Sequence, residues 1–111
     1  MNKRPELFVI IGCDTDPTNP SFLMADVTSK EAIWEDALLG ILNVNNVVTN
    51  VKDSFVDHPK ITWFLRSDWQ MYEIYKNWSW CANNYLPMWK KLEAGGDEIG
   101  WHPHLWRWDD D

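Results

Sequence analysis

The sequence predicts an α/β fold in which short parallel strands alternate with helices. The apolar run at residues 7–11 is rich in β-branched and aromatic residues, which is typical of a strand buried on both faces. Residues 60–66 form a second candidate strand, and residues 97–101 form a third. Helical patterns separate these strands, and the order β–loop–α–β–α–β implies parallel pairing with right-handed crossovers.

The first strand is closed by Gly12, and an acidic cluster follows it directly. Asp14 and Asp16 therefore lie at the carboxyl end of a buried strand, where α/β folds place their chemistry. Capping of a following helix or turn is the alternative role for each aspartate. Residues 18–28 are polar and contain proline, which predicts a loop that folds over a site.

The first crossover is predicted to contain two helical pieces. Residues 29–39 fit one or two helical turns, which Gly40 interrupts. A second, amphipathic helix is predicted from residue 45, because apolar residues follow at spacings of three and four. These residues are Val47, Val48, Val51 and Phe55. Residues 57–59 end this helix, since the residue before a proline avoids the helical region.

The second crossover begins with a turn or helix cap at residues 67–68. Residues 69–80 are predicted to be a loop with a partial helix. Residues 82–93 carry apolar side chains at helical spacing. The continuous helix is predicted to begin near Pro87, because proline is tolerated only in the first turn of a helix. Gly95 and Gly96 end it.

Length and composition favour one small globular domain with a hydrophobic core. The net charge of −7, without a cluster of basic residues, argues against a nucleic-acid partner. No apolar stretch reaches the length that crosses a membrane, and no amino-terminal signal segment is visible. A cytoplasmic location is therefore predicted, with export of a longer precursor left open.

Cysteine chemistry is not expected. Cys13 and Cys81 form neither a disulfide framework nor a CxxC pair. Cys13 is predicted to be a small buried hydrophobe, and the neighbouring Asp14 disfavours its thiolate.

The chain contains nine tryptophans. Trp63 and Trp101 lie in predicted strands and are expected in the core. Exposed tryptophans stack on sugar rings, so the remaining clusters admit either carbohydrate binding or ordinary packing. These clusters are the pairs Trp78 with Trp80 and Trp106 with Trp108.

His102 and His104 are two residues apart at the end of the third strand. Side chains at positions i and i+2 of a strand point to the same face, so both imidazoles can reach one divalent ion. Histidine is the commonest metal ligand in proteins. This pair alone is a weak indicator, and Asp14 and Asp16 at the end of another strand strengthen it.

Three stretches occur in an order and spacing typical of one protein family. They are Ile-Ile-Gly-Cys-Asp-Thr-Asp at residues 10–16, Ile-Thr-Trp-Phe-Leu at residues 61–65, and the segment 92–102 that leads into His102. Together they resemble the polysaccharide deacetylase superfamily (NodB homology, carbohydrate esterase family 4). The resemblance implies a (β/α) barrel, of which residues 1–111 would be the truncated amino-terminal part, with the first three parallel strands and their crossover helices.

The resemblance also assigns roles to individual residues. It makes Asp14 the general base, Asp16 a metal ligand and His102 the first metal-binding histidine. The family's second histidine usually follows four residues later, where this chain has Trp106; His104 is the nearby substitute. This departure leaves the third ligand open.

The implied activity is hydrolysis of a C–N bond, in an amide or N-acetyl group of a carbohydrate-like substrate. Asp16, His102 and His104 would hold Zn²⁺ or another divalent transition metal, and Asp14 would take the proton of the attacking water. Arg66, Asp68 and Trp106 are candidate substrate contacts, with a surface ion pair as the alternative for the first two. The predicted partners are this small substrate and either the missing part of the barrel or further copies of the chain. A non-catalytic, tryptophan-rich carbohydrate-binding module is the competing function, and an inactive piece is a third.

Overall fold

The computed structural model describes residues 7–16, 31–53 and 56–103, with the side chains of the first helix described from residue 37. Within these ranges, three strands form one parallel sheet in the order β1-β2-β3. The strands are β1 (Ile11–Asp14), β2 (Ile61–Arg66) and β3 (Glu98–His102). The predicted α/β class and the parallel pairing are confirmed.

Four helices lie between the strands in the described ranges: α1 (Glu31–Val48), α2 (Trp69–Tyr75), α3 (Trp80–Asn84) and α4 (Leu86–Ala94). Asp68 caps α2 by accepting a hydrogen bond from the Met71 backbone N–H, at 3.1 Å, so the predicted cap is confirmed. Pro87 occupies the first turn of α4, also as predicted. None of the helices in these ranges combines the length and apolar character that crossing a membrane requires.

Strand β1 begins later than its apolar run predicts. Residues 7–10 precede the strand, and their side chains are between 71% and 92% exposed. The register explains the difference, because Ile11 pairs with Ile61, the first residue of β2. Residues 7–10 therefore extend past the end of the neighbouring strand, and hydrophobicity alone does not place them in the sheet.

Helix α1 differs from its prediction at Gly40 and at its carboxyl end. It passes through Gly40 without a break, so the two predicted pieces are one helix. Its predicted continuation toward residue 57 is wrong, because the helix ends at Val48. Side chains of Thr49 and Asn50 donate to the Asn46 carbonyl at 3.2 and 2.7 Å, which satisfies one of the carbonyls left open at a helix end.

Substituting alanine for Gly40 is expected to raise the free energy of unfolding by about 0.5–1 kcal/mol, because glycine weakens a helix interior by that amount. Beyond the helix's own backbone, a β-carbon at Gly40 would meet no atom of the described residues within 4 Å, so these residues add no steric cost. Urea unfolding followed by circular dichroism measures the change. The matched control is Gly96→Ala, which should destabilise, since Gly96 has φ of 99°. Destabilisation by Gly40→Ala would contradict a continuous α1.

The hydrophobic core lies between one face of the sheet and the helices. Trp63 is fully buried at its centre, as predicted. The buried core residues are Leu38, Ile41, Ile61, Trp63, Leu65, Met71, Cys81, Trp89 and Leu92. Trp101 was also expected in the core, and this is wrong, because its side chain is 62% exposed. Trp101 lies near the end of edge strand β3, where its indole N–H donates to the Ser67 carbonyl at 3.1 Å.

The opposite face of the sheet carries the polar residues. Side chains alternate along a strand, so the register places one set on this face. The set comprises Gly12, Asp14, Thr62, Phe64, Arg66, Glu98, Gly100 and His102. The Phe64 ring lies across the neighbouring strands, because a β-carbon at Gly12 would lie 3.0 Å from the ring and one at Gly100 would lie 2.8 Å from it. Glycine at both positions leaves room for the ring.

Candidate metal centre

Thr15 fixes the two aspartates at the carboxyl end of β1. Its backbone N–H and its hydroxyl both donate to the Phe64 carbonyl, at 3.1 and 2.9 Å. Thr15 is buried, while the side chains of Asp14 and Asp16 on either side are 57% and 46% exposed. The alternation of acidic, neutral and acidic residues at positions 14–16 is the sequence signal for this anchor.

The register of β3 brings His102 to the same place. Phe64 pairs with Asp14 on one side, and two residues further along β2, Arg66 pairs with His102 on the other. His102 Nδ1 lies 3.7 Å from Asp14 Oδ1. One donor atom each from Asp14, Asp16 and His102 lie within 4.8 Å of one another. The convergence of these three side chains, predicted from their positions after parallel strands, is present.

This donor set fits a divalent cation by distance. Zinc takes nitrogen and oxygen ligands at about 2.0–2.2 Å, so two donors on one ion lie at most about 4.4 Å apart. The 3.7 Å separation between Asp14 and His102 is already within that limit. All three donor atoms lie within 4.8 Å of one another, a bound only a few tenths of an ångström above that limit.

Charge favours a divalent cation as well. Among the described residues of the site, Asp14, Asp16 and Asp68 carry three formal negative charges and Arg66 carries one positive charge. One imidazole with carboxylates suits zinc and neighbouring transition metals, whereas magnesium and calcium prefer oxygen ligands alone. The Asp-Asp-His group can therefore hold a metal ion.

Arg66 and Asp68 lie beneath this group. Their side chains are 0% and 2% exposed and form an ion pair, so the pair is buried where the sequence suggested a surface pair as the alternative. Arg66 Nη1 also donates to Asp16 Oδ1 at 2.6 Å. This burial argues against the direct substrate contact predicted for both residues. They reach the site through Asp16.

Two of the other predicted site residues fall outside the described ranges. His104, the proposed third ligand, and Trp106, a proposed substrate contact, both lie beyond residue 103. The role of Asp14 as general base stays a prediction; its carboxylate is exposed beside His102.

The cysteines are unsuited to nucleophilic chemistry. Burial raises the pKa of the Cys81 thiol to about 12. The pKa of the Cys13 thiol is also raised, first by burial and then by the negative charge of Asp14. The predicted effect of Asp14 on Cys13 is confirmed, and both thiols stay protonated at neutral pH.

Aromatic rings near the second crossover stack mainly on one another. Trp80 is parallel to Tyr75 with ring centroids 3.7 Å apart, and Trp78 is stacked on Tyr72 at 5.0 Å. Trp89 is buried, and its indole donates to the Cys81 carbonyl at 3.0 Å. Among the tryptophans with described side chains, Trp78 and Trp101 keep substantial exposure, at 44% and 62%.

Comparison of the chain with family models, with curated proteins and with solved structures gives no significant match in any of the three. The geometry of the site and the motifs that build it are therefore the observations that bear on function. An Asp-Asp-His group that could hold a metal ion lies at the carboxyl end of a parallel sheet.

Proposed function

We propose that this chain belongs to a metal-dependent hydrolase of the polysaccharide deacetylase type, which cleaves amide or N-acetyl C–N bonds in a carbohydrate-like substrate. One observation carries the proposal: donor atoms of Asp14, Asp16 and His102 lie within 4.8 Å of one another, although the two aspartates and the histidine come from opposite edges of the described sheet. The resemblance of the surrounding motifs to this superfamily supplies the substrate class.

The strand order is compatible with the proposed barrel. Consecutive strands lie side by side in the order β1-β2-β3. A (β/α) barrel uses this sequential order, and its active site lies at the carboxyl ends of the strands. The first three strands of a Rossmann-type doubly wound fold have the same order, so the motif resemblance carries the choice of a barrel. In the proposed barrel, Gly12, Phe64 and Gly100 are interior residues below the metal site.

The residues of the site have different roles in the proposed hydrolysis. Asp16 and His102 would hold Zn²⁺ or another divalent transition metal, which would supply Lewis-acid polarisation of the scissile carbonyl and of a water molecule. Asp14, with its exposed carboxylate, would remove the proton of the attacking water. The further ligand, the acid for the leaving amine and the substrate contacts come from the rest of the barrel, supplied by residues beyond the described ranges or by a partner chain.

A carbohydrate-binding module remains the second candidate because Trp101 presents a largely exposed indole. Its support is narrower, since the stacked pairs Tyr75–Trp80 and Tyr72–Trp78 use ring faces that a sugar would need. This function requires no metal.

Zinc titration by isothermal calorimetry tests the proposal. The wild-type chain is expected to bind zinc stoichiometrically at micromolar concentration. Asp16→Ala and His102→Ala should each weaken binding by more than about 100-fold, because loss of a ligand exceeds the effect of losing an outer hydrogen-bond partner.

Glu98→Ala is the matched control for this titration. Glu98 lies on the same strand and face as His102, but it accepts a hydrogen bond from the Thr62 hydroxyl at 3.0 Å. The Glu98→Ala variant should therefore bind zinc like the wild type. Absence of zinc binding by the wild-type chain would contradict the hydrolase proposal. Metal-independent quenching of tryptophan fluorescence by an oligosaccharide would favour the binding module instead.

A further inference from the structure

Arg66 occupies a position that few arginines take. It is the last residue of β2, the strand between those that lead to Asp16 and His102, and its Cα pairs with that of His102. Its side chain is 0% exposed. A buried guanidinium must be satisfied by hydrogen bonds and opposite charge.

Each nitrogen of the guanidinium donates to a different side chain. Nε donates to Asp68, Nη1 donates to Asp16 Oδ1 at 2.6 Å, and Nη2 donates to Gln70 Oε1 at 2.9 Å. Three acceptors around one planar fork determine both its position and its orientation. Asp68 is itself fixed by the Met71 backbone N–H. Asp16 is thus connected through Arg66 to the start of α2.

Asp16 needs such a connection because of where it lies. The last residue of β1 is Asp14, and Asp16 is two residues beyond it with a half-exposed side chain. Ordering a half-exposed carboxylate on metal binding costs free energy, and a hydrogen bond that orders it beforehand lowers that cost. A carboxylate can accept an arginine N–H on one oxygen and ligate a metal with the other, so the contact to Arg66 leaves ligation open.

We propose that Arg66 is a positioning residue, which orients Asp16 toward the metal that His102 also binds. This inference rests on the proposed metal site and adds to it a role for the buried Arg66, Asp68 and Gln70 network. Outer hydrogen-bond partners of metal ligands contribute about 10–100-fold to metal affinity. Arg66 acts on the ion only through Asp16.

The test compares zinc affinity and the visible absorption spectrum of bound Co²⁺ in the wild type, Arg66→Met and Arg66→Lys. Arg66→Met should bind zinc about 10–100-fold more weakly and alter the cobalt spectrum. Arg66→Lys should fall between, because one ammonium cannot bond three acceptors in fork geometry. Trp63→Phe, a core change that does not touch Asp16, should lose stability but keep the wild-type affinity and spectrum.

Wild-type affinity and spectrum in a folded Arg66→Met variant would overturn the positioning role while leaving the metal site intact. If Arg66→Met does not fold, Arg66→Lys and Gln70→Leu decide, and wild-type affinity in both overturns the role. Absence of zinc binding by the wild-type chain would overturn the proposed function together with this inference.

Discussion

Trp63→Ala is expected to lower the free energy of unfolding by about 3–5 kcal/mol, the range for truncating a buried tryptophan or phenylalanine. Trp63 is 0% exposed on the central strand of the described sheet, so alanine would leave a large cavity. Its indole N–H donates to Asp97 Oδ2 at 2.8 Å, while Asp97 Oδ1 accepts from the Ile61 backbone at 3.0 Å. The substitution therefore also loosens the link between the starts of β2 and β3.

Trp63→Phe separates the two contributions. Phenylalanine keeps most of the ring volume but removes the donor to Asp97. The free energy of unfolding should therefore fall by about 1–3 kcal/mol, the range for leaving an acceptor unsatisfied. Urea unfolding, followed by circular dichroism because a tryptophan is removed, measures both variants. A loss under about 1 kcal/mol for Trp63→Ala would contradict its place in the core.

The length of a strand depends on its neighbour as well as on its own residues. The apolar run at residues 7–11 has the composition of a buried strand, yet residues 7–10 are exposed because β2 begins opposite Ile11. Trp101 illustrates the same limit: its strand was predicted, but its exposure follows from a place near the end of an edge strand. Local sequence identifies such segments, and pairing determines what they bury.

Helix α1 shows that the low helix propensity of one residue can be outweighed by the packing of the whole segment. Gly40 costs a helix about 1 kcal/mol, which the buried contacts of Leu38 and Ile41 outweigh. By contrast, the valines at positions 47 and 51 have helical spacing but are 67% and 53% exposed. Their burial therefore contributes little free energy to extending the helix. Pro87 acts through a steric constraint that packing cannot relax, and its prediction holds.

The acidic side of the candidate site was predictable because the carboxyl ends of parallel strands meet at one edge of a sheet. That rule brings Asp14, Asp16 and His102 together without knowledge of any contact. The support beneath them was not predictable in the same way. Arg66 and Asp16 are separated by 50 positions, and no spacing in the sequence indicates that the guanidinium turns inward to reach that carboxylate.

Asp68→Ala is the second substitution with a large expected effect, a loss of up to about 3–5 kcal/mol, because it removes the buried carboxylate from the Arg66 ion pair and leaves the half-exposed Asp16 as its described acidic partner. The side chains of Arg66 and Asp68 are 0% and 2% exposed, so water cannot replace the lost carboxylate without opening the site. Asp68 also caps α2 through the Met71 backbone, which adds about 1 kcal/mol to the loss. Chemical denaturation measures the change.

A double substitution separates the contribution of the Arg66–Asp68 ion pair from the contribution of the Asp68 helix cap. Arg66→Met combined with Asp68→Ala removes both members of the pair, so no buried charge is left alone between them, and the double variant should lose less than the sum of the two single variants. Asp68→Asn, which retains a capping side chain, isolates the charge. Strict additivity in this cycle would mean that Arg66 and Asp68 do not interact, and the support proposed for Asp16 would then lack its anchor on α2.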